Sequence, residues 1–562
     1  MIQKIWRVKN KNTEQCQAIS QELGVNLITA HLLMNRGINT SYDGRRFFSA
    51  DISDLHDPFL FKDMSKVVER INAARSNKER VLIFGDYDVD GVTSSALLYR
   101  ALTDIGIDVI NHIPHRVDEG YGLNDEIADF ARSEGVTLLI SVDCGITAFK
   151  EIDKINSYGI EVIVIDHHEP APQGVPSAYA IIDPKCSNSG YPFRHLAAVG
   201  LVAKVIQALT GKIDDEALDL AAVGTVADIV PLIDENRIFV KYGLAQLCRT
   251  KNHGLAALLQ STKLNEKRIT PFHIGFMLGP RINASGRMDS AHTSLDLFLS
   301  RSRSEADALA AELEQHNQDR QRMQREVVQE AIEIVEQEIN FNKEKVIVLS
   351  KNGWHKGILG IVASKLTDRY YRPTVVISIK DGIGVASARS VEGFHLHNVL
   401  QTCAHHLEAF GGHEGAAGLT IREENIDPFR TMINKVAAEI MEEQEILPVI
   451  DIDAEMPLAM VDMNFVRMIE AMEPFGEGNP LPILCSRGLT VRGAPRVMAK
   501  DTLKFWVTDG KVCISAVGFG MGSYEPIVRQ GKKLDLAYEV SIDDWNKEPT
   551  VQLMLKDIKV SE

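Results

Sequence analysis

An apolar run, Val162-Ile163-Val164-Ile165, stops abruptly at Asp166-His167-His168-Glu169-Pro170. Apolar, mostly β-branched residues on both faces mark the run as a buried strand, because a strand with one wet face would alternate. Two imidazoles and two carboxylates at the end of such a strand are poor solubility residues. In an open α/β sheet that end is where ligands bind.

The pattern occurs twice more upstream. Val81-Leu82-Ile83-Phe84 runs into Gly85-Asp86-Tyr87-Asp88-Val89-Asp90-Gly91, and Leu138-Leu139-Ile140-Ser141-Val142 into Asp143-Cys144-Gly145. Helical patterns over 94–105 and 124–133 separate the strands. Strand, helix, strand in this order predicts right-handed crossovers and a parallel sheet. Asp86, Asp88, Asp90, Asp143, Asp166, His167 and His168 then gather along one edge. So many carboxylates repel one another unless cations neutralise them. Oxygen ligands with one or two imidazoles suit Mn²⁺ or Mg²⁺, and Zn²⁺ less well without a thiolate pair.

The aspartate run formally resembles the opening of a calcium loop. An EF-hand requires Glu at loop position 12. That position is Leu97, and a strand precedes the motif, so the reading fails. Asp143 alone reads as a helix cap or turn former; its parallel placement with the other strand ends raises it. Asp228 lies among Ala, Val and Ile, where a lone carboxylate is costly to bury. A basic partner or a metal must neutralise it.

The chain has 562 residues, enough for three or four domains, and ordinary globular content with 45% hydrophobic and 25% charged residues. Seven scattered cysteines without a CxxC pair point to a reducing, cytoplasmic setting and against a zinc ribbon. The N-terminus lacks the apolar core of a signal peptide, and no run reaches the roughly 20 apolar residues of a membrane helix. A net charge of −16 argues mildly against nucleic-acid binding, although a carboxylate-rich metal centre lowers the total.

The expected organisation is a helical lead-in over 1–60, a parallel-sheet α/β domain over 61–302, a connecting helix over 303–342, a second α/β domain over 343–446, and a small β-barrel over 447–562. The stretch 304–340 holds no Gly or Pro. Its apolar stripe suits a connecting helix; a coiled-coil seam is the alternative, interrupted by His316 and Arg320. Gly279 to Met288 reads as a loop, and Gly411 to Gly418 as a glycine-rich loop. In the last region Phe505, Trp506, Phe519, Tyr524, Tyr538 and Trp545 alternate with lysines. That mixture suits single-strand binding, though most of these rings are expected in the core.

The motifs GDYDVDG, SVDCG, VIDHHEP and TVADIVPL together resemble, in order and spacing, those of the DHH phosphoesterase superfamily. GWHKGILGIVASKL and GGHEGAAG are similar to its DHHA1 domain. GPRINASGRM and AMEPFGEGNPLP resemble the RecJ branch, single-strand-specific 5′→3′ DNA exonucleases whose last domain is an OB-fold. The resemblance implies a repair and recombination enzyme releasing 5′-mononucleotides with two Mn²⁺ or Mg²⁺ ions. Asp88, Asp90, Asp143, His167 and Asp228 would be the ligands, with Asp143 bridging, and Asp86 and His168 close by as ligands or supporting groups. Asp143, His167 and His168 would carry catalysis. The chain departs from many members at Phe84, where they have His; Asp86 is then expected to compensate, or one metal site to be weaker. Arg116, Ser387 and Arg389 resemble a pocket for the 5′ end, Arg281 and Arg287 backbone clamps, and Gly412 and His413 a nucleotide contact. A single-strand-binding protein and a helicase would be the partners, and a monomer the form. Rival readings are a phosphodiesterase for short oligonucleotides or cyclic dinucleotides, a pyrophosphatase, and an inactive scaffold.

Overall fold

The computed structural model describes residues 4–10, 13–115, 120, 122–288, 291–443, 447–544 and 548–561. Arg116 and Trp545 lie outside the described residues.

Five parallel strands form the first sheet, in the spatial order Asp108–His112, Arg80–Gly85, Val136–Val142, Glu161–Ile165 and Ala180–Ile182. The three acid-bearing strands are neighbours, so their carboxyl ends share one edge. Val81 and Ile83 join one hydrophobic core, Leu82 and Phe84 another on the opposite face. Both faces are covered, which is why these strands lack alternation. Helices Val89–Asp104, Asp125–Ser133 and Phe149–Ser157 make the crossovers.

Gly279 to Met288 is a helix, Gly279–Met288, rather than the expected loop. Its glycines are spent on contact: a Cβ on Gly286 would stand 3.3 Å from the Tyr87 carbonyl oxygen. The π-turn Ile274–Leu278 precedes it. The connecting helix runs Arg303–Glu338 and buries Ala306, Leu313, Val327 and Val335. Arg320 is also buried on it, donating to Asn317 and Gln324, so the break in the apolar stripe is a polar seam against the body of the protein.

The second sheet is mixed, in the order Ala409–Gly412, Ala416–Arg422, Ile383–Arg389, Thr374–Lys380 and Ile347–Asn352. Only the last pair is parallel. The glycine-rich loop is mostly a hairpin.

The C-terminal strands Leu484–Met498, Thr502–Thr508, Cys513–Gly518, Thr550–Val560 and Leu534–Asp543 close a five-stranded barrel, the first pairing with the last. Register shifts at 486–489 and 492–496 bend the long first strand around it. The lead-in is helical over Thr13–Leu23, Leu27–Met34 and Ser41–Ser49 but starts with a strand, Ile5–Val8, paired in parallel with Val449–Ile452. Cys16, Ile19, Leu32, Leu33 and Phe47 lie in the same core as Phe465, Phe505 and Tyr538. The two ends of the chain therefore build one unit.

Candidate metal centre and substrate cleft

Each acidic residue at the sheet edge is placed by a local device. Asp88 caps helix Val89–Asp104, its carboxylate accepting from the amides of Asp90 (2.9 Å) and Gly91 (3.1 Å). Gly91 lets that helix start against the strand end, since a Cβ would lie 2.4 Å from the Asp86 carbonyl oxygen. Asp90 reaches across to helix Ala198–Thr210, accepting from the amides of Ala198 (2.7 Å) and Val199 (2.9 Å). Asp143 has a left-handed backbone, φ +62°, unusual for a residue other than glycine. Such strain clusters at functional sites. Asp228 ends helix Asp215–Ala227.

These devices converge on His167. Its Nε2 lies 3.2 Å from Asp143, 3.5 Å from Asp228 and 3.9 Å from Asp90. The ring nitrogen is buried yet has no hydrogen-bond partner among the described residues. Asp86, Asp88 and Asp143 form a second group, and Asp143, His167 and His168 a third; within each group one donor atom per residue lies within 4.8 Å of the others. The first group is Asp90, His167 and Asp228; His167 links it to the third, and Asp143 links the third to the second, the position expected of a carboxylate shared by two ions.

The electrostatics match an acid cluster designed around cations. Burial, then the charges of Asp90, Asp88, Asp228 and Asp86, push the Asp143 carboxyl well up. Burial and the Asp90 and Asp88 charges raise Asp228, and burial and the Asp88 charge raise Asp90. Burial and the charge of His168 lower His167, keeping it neutral, the form that ligates. An orphaned imidazole nitrogen among mutually repelling carboxylates fits divalent cations. The oxygen-rich donor set suits Mn²⁺ or Mg²⁺. Asp228 has no basic partner in ion-pair range except His167 among the described residues, so the metal alternative for its neutralisation stands.

Asp166 is the residue whose role the sequence understated. It is buried, accepts from the amides of His167 (2.7 Å), His168 (3.1 Å) and Ile146 (2.9 Å), and holds His168 Nδ1 at 2.7 Å. Burial works against a charged His168, but the Asp166 bond and charge prevail and raise it to about 9. The Asp166 carboxylate thus favours the protonated form of His168, which is half exposed at the edge of the centre.

Phe84 is fully buried and stacked on His112, with ring centroids 5.6 Å apart. It offers no ligand, and Asp86 stands in the group with Asp88 and Asp143.

The anion-binding candidates lie on the facing domain. Ser387 and Arg389 share the strand Ile383–Arg389, with Arg389 donating to Ser387 (3.1 Å). Register places Gly418 opposite Ser387 and Ala416 opposite Arg389, bringing the glycine hairpin beside them. Gly412, at φ +143°, has no room for a Cβ, which would stand 2.3 Å from the Ala416 carbonyl oxygen. His413 is exposed at the turn, its Nδ1 accepting from the Gly415 amide. Arg287 donates across to the Gly357 carbonyl (2.9 Å) and joins the two domains. Arg281 is tied to Glu314 of the connecting helix at 2.5 Å and to the Met277 carbonyl, so both these contacts are internal.

Sequence reasoning missed the two lysines of this pocket and an exposed aromatic pair. Lys356 and Lys365 line the same pocket as Arg287, Ser387 and Arg389; both stood in the quoted motif without being singled out. Phe272 and Phe276, stacked at 4.7 Å and 62% and 71% exposed, crown the turn beside helix Gly279–Met288. On the barrel, Phe505 and Tyr538 are core, whereas Trp506 and Phe519 are exposed. Trp506 stands opposite Arg492 and Lys504 opposite Arg496, an aromatic and basic outer face.

Comparison with known proteins agrees with this architecture. Residues 80–225 match the DHH family N-terminal domain, 343–439 the DHHA1 domain and 452–557 the RecJ OB domain. The single-stranded-DNA-specific exonuclease RecJ of Bacillus subtilis (strain 168) is 37% identical over 99% of this chain and 71% of its own length. The Haemophilus influenzae protein of the same name is 31% identical over 95% of this chain and 97% of its own. The crystal structure of RecJ in complex with Mn²⁺ from Thermus thermophilus superposes with a TM-score of 0.83 at 26% identity, covering 99% of this chain and 80% of that one. A second structure of that protein contains Mg²⁺. Three matched domains in order, together with an acid and histidine cluster at the sheet edge, establish that the chain belongs to the RecJ family within the DHH phosphoesterases.

Proposed function

We propose that this protein is a metal-dependent 5′→3′ exonuclease that hydrolyses single-stranded DNA to 5′-mononucleotides in repair and recombination. The observation that carries the reading is the convergence of Asp143, Asp228 and Asp90 on the buried Nε2 of His167, which has no hydrogen-bond partner among the described residues. Asp86, Asp88, Asp90, Asp143, His167 and Asp228 would hold two ions, Mn²⁺ or Mg²⁺. Bound there, they would supply an activated water and neutralise charge on the phosphoryl group.

The chain's own groups do the rest. Asp166 orients the ring of His168 and favours its protonated form, so His168 presents a proton and a positive charge to the phosphate or the departing 3′ oxygen. Ser387 and Arg389 hold the 5′ end, with Arg116 as their partner by resemblance. The helix Gly279–Met288 connects both sites. Gly286 lies against Tyr87, in the loop of metal ligands, and its neighbour Arg287 reaches Gly357 at the pocket. The pocket thus stands across the cleft from the centre, where it would set polarity. Trp506 and the barrel's arginines suit bases and phosphates of the trailing strand.

A phosphodiesterase for very short substrates is the reading to exclude, and the barrel's outer face speaks against it. No helix among the described residues is long and apolar enough to cross a membrane. All seven cysteines are unpaired, which supports the cytoplasmic setting. A single-strand-binding protein and a helicase are the proposed collaborators, and a monomer the proposed form.

The test is hydrolysis of a long single strand labelled at either end, with and without Mn²⁺, beside a dinucleotide. Metal-dependent release of mononucleotides from the 5′ end is expected. Cleavage of the dinucleotide alone would transfer the protein to the small-substrate class, and cleavage of neither would leave a scaffold.

A further inference from the structure

The pocket beside Arg389 holds more positive charge than a single terminal phosphate uses. Arg287, Lys356, Lys365 and Arg389 line it, and no carboxylate among the described residues does. Lys356 and Lys365 have no ion-pair partner among the described residues. The cavity measures about 470 Å³. A phosphoryl group fills the space of only a few waters, each about 30 Å³. One wall is bare because Gly360 packs there: a Cβ would stand 2.9 Å from Arg389 Nη2 and 3.1 Å from Ser387 Oγ. Ser387 and Arg389 sit at that wall as a donor pair suited to one phosphate. The lysines stand on the next segments, Lys356 on the turn Lys356–Ile358 and Lys365 on the helix Leu359–Tyr370, both exposed.

A monophosphate brings at most about two negative charges, fewer than the four cations that line the pocket. Each further phosphoryl adds at least one, and flexible lysines serve added phosphates as point charges. We infer that this pocket accepts polyphosphorylated 5′ ends, with Lys356 and Lys365 holding the outer phosphates. The inference rests on the reading of the pocket as the site of the 5′ end.

The chemistry is unchanged. One water is consumed, its oxygen ends on the phosphorus of the shortened strand, the bond from that phosphorus to the first nucleotide's 3′ oxygen breaks, and that oxygen takes up a proton. A 5′-triphosphorylated strand therefore yields a nucleoside triphosphate once, and monophosphates thereafter.

The experiment uses three otherwise identical single-stranded DNA oligonucleotides with 5′ hydroxyl, monophosphate or triphosphate ends. Binding is measured in EDTA by fluorescence anisotropy from a 3′ label, and the first product is identified with Mn²⁺ present. The expected order of affinity is triphosphate, monophosphate, hydroxyl, with about tenfold between the first two. The first product from the triphosphate strand is the nucleoside triphosphate. Lys365→Ala and Lys356→Ala should remove that tenfold, weakening the triphosphate strand well beyond the monophosphate strand, with Lys365→Arg retaining it. A triphosphate strand bound no better than the monophosphate, or resistant to cleavage while the monophosphate strand is degraded, overturns the inference. Lysine variants that weaken all three strands equally also overturn it, assigning the lysines to internal phosphates. Equal binding of monophosphate and hydroxyl strands, unaffected by Arg389→Ala, defeats the underlying reading instead.

Discussion

Asp166 illustrates how much chemistry one side chain governs here. It stands outside the three groups of side chains gathered for metal, yet it bonds the amides of His167 and His168 and the His168 ring. Asp166→Asn keeps the shape and removes the charge. His168 should then fall from about 9 toward the ordinary imidazole value near 6.5. Activity that needs the protonated ring is then lost above neutrality. The expected outcome is a kcat loss of about 30-fold at pH 8, shrinking toward pH 6, with little change in KM. A pH–rate profile checks it, and a loss equal at all pH values would reduce Asp166 to scaffolding.

The carboxylates predict a pH-dependent stability with a definite sign. Asp90 and Asp228 are raised to about 7 and about 8 by burial and neighbouring charge. Unfolded aspartates titrate near 4. Between these values Asp90 and Asp228 hold protons in the folded, metal-free protein that the unfolded chain releases, so their contribution to stability falls as pH rises from about 4 through 8. Divalent metal replaces those protons. Metal should therefore raise Tm more at pH 8.5 than at pH 5.5, by several degrees for a unit of this size. Thermal denaturation with EDTA or Mn²⁺ at the two pH values reads this directly; equal increments would contradict it.

At the level of elements, the strands and their acid ends were legible because a doubly covered parallel sheet writes itself as unbroken apolar runs. The helix Gly279–Met288 was not, because its small residues and a proline mimic a loop; the close approach to Tyr87 accounts for Gly286. The strand Ile5–Val8 was hidden too, since its partner lies more than 440 residues away and no local pattern reports it. Arg281 separates similarly. Its type and motif suggest a clamp on DNA, whereas its contacts are to Glu314 and Met277. If it is a strut, Arg281→Ala and Glu314→Ala should each lower stability by about 1–3 kcal/mol. The double variant should cost little more than either, and KM for DNA should stay within about twofold. A raised KM with Arg281→Ala alone would restore the clamp.

In the whole molecule, the two chain ends share a hydrophobic core while the catalytic domains occupy the middle of the sequence. Arg237 links the first domain to that unit, donating to the carbonyls of Phe47, Met472 and Glu473. The barrel segment 447–562 alone should be molten, and residues 1–50 supplied in trans should restore a cooperative transition in calorimetry. Independent cooperative unfolding of the isolated barrel would contradict the shared core. The same arrangement sets the outer face of the barrel, with Trp506 and Arg492, on the unit that also carries the N-terminus.

On the proposed reading two divalent ions, shared through Asp143, sit at the strand ends and are required for hydrolysis. Mn²⁺ titration followed by electron paramagnetic resonance, in parallel with nucleotide release from the same samples, tests it most directly. Two ions per chain with an exchange-coupled signal are expected, activity appearing with the second, and both lost in Asp143→Ala. A single uncoupled ion at full activity, or nucleotide release that survives in EDTA or in Asp143→Ala, would contradict the claim.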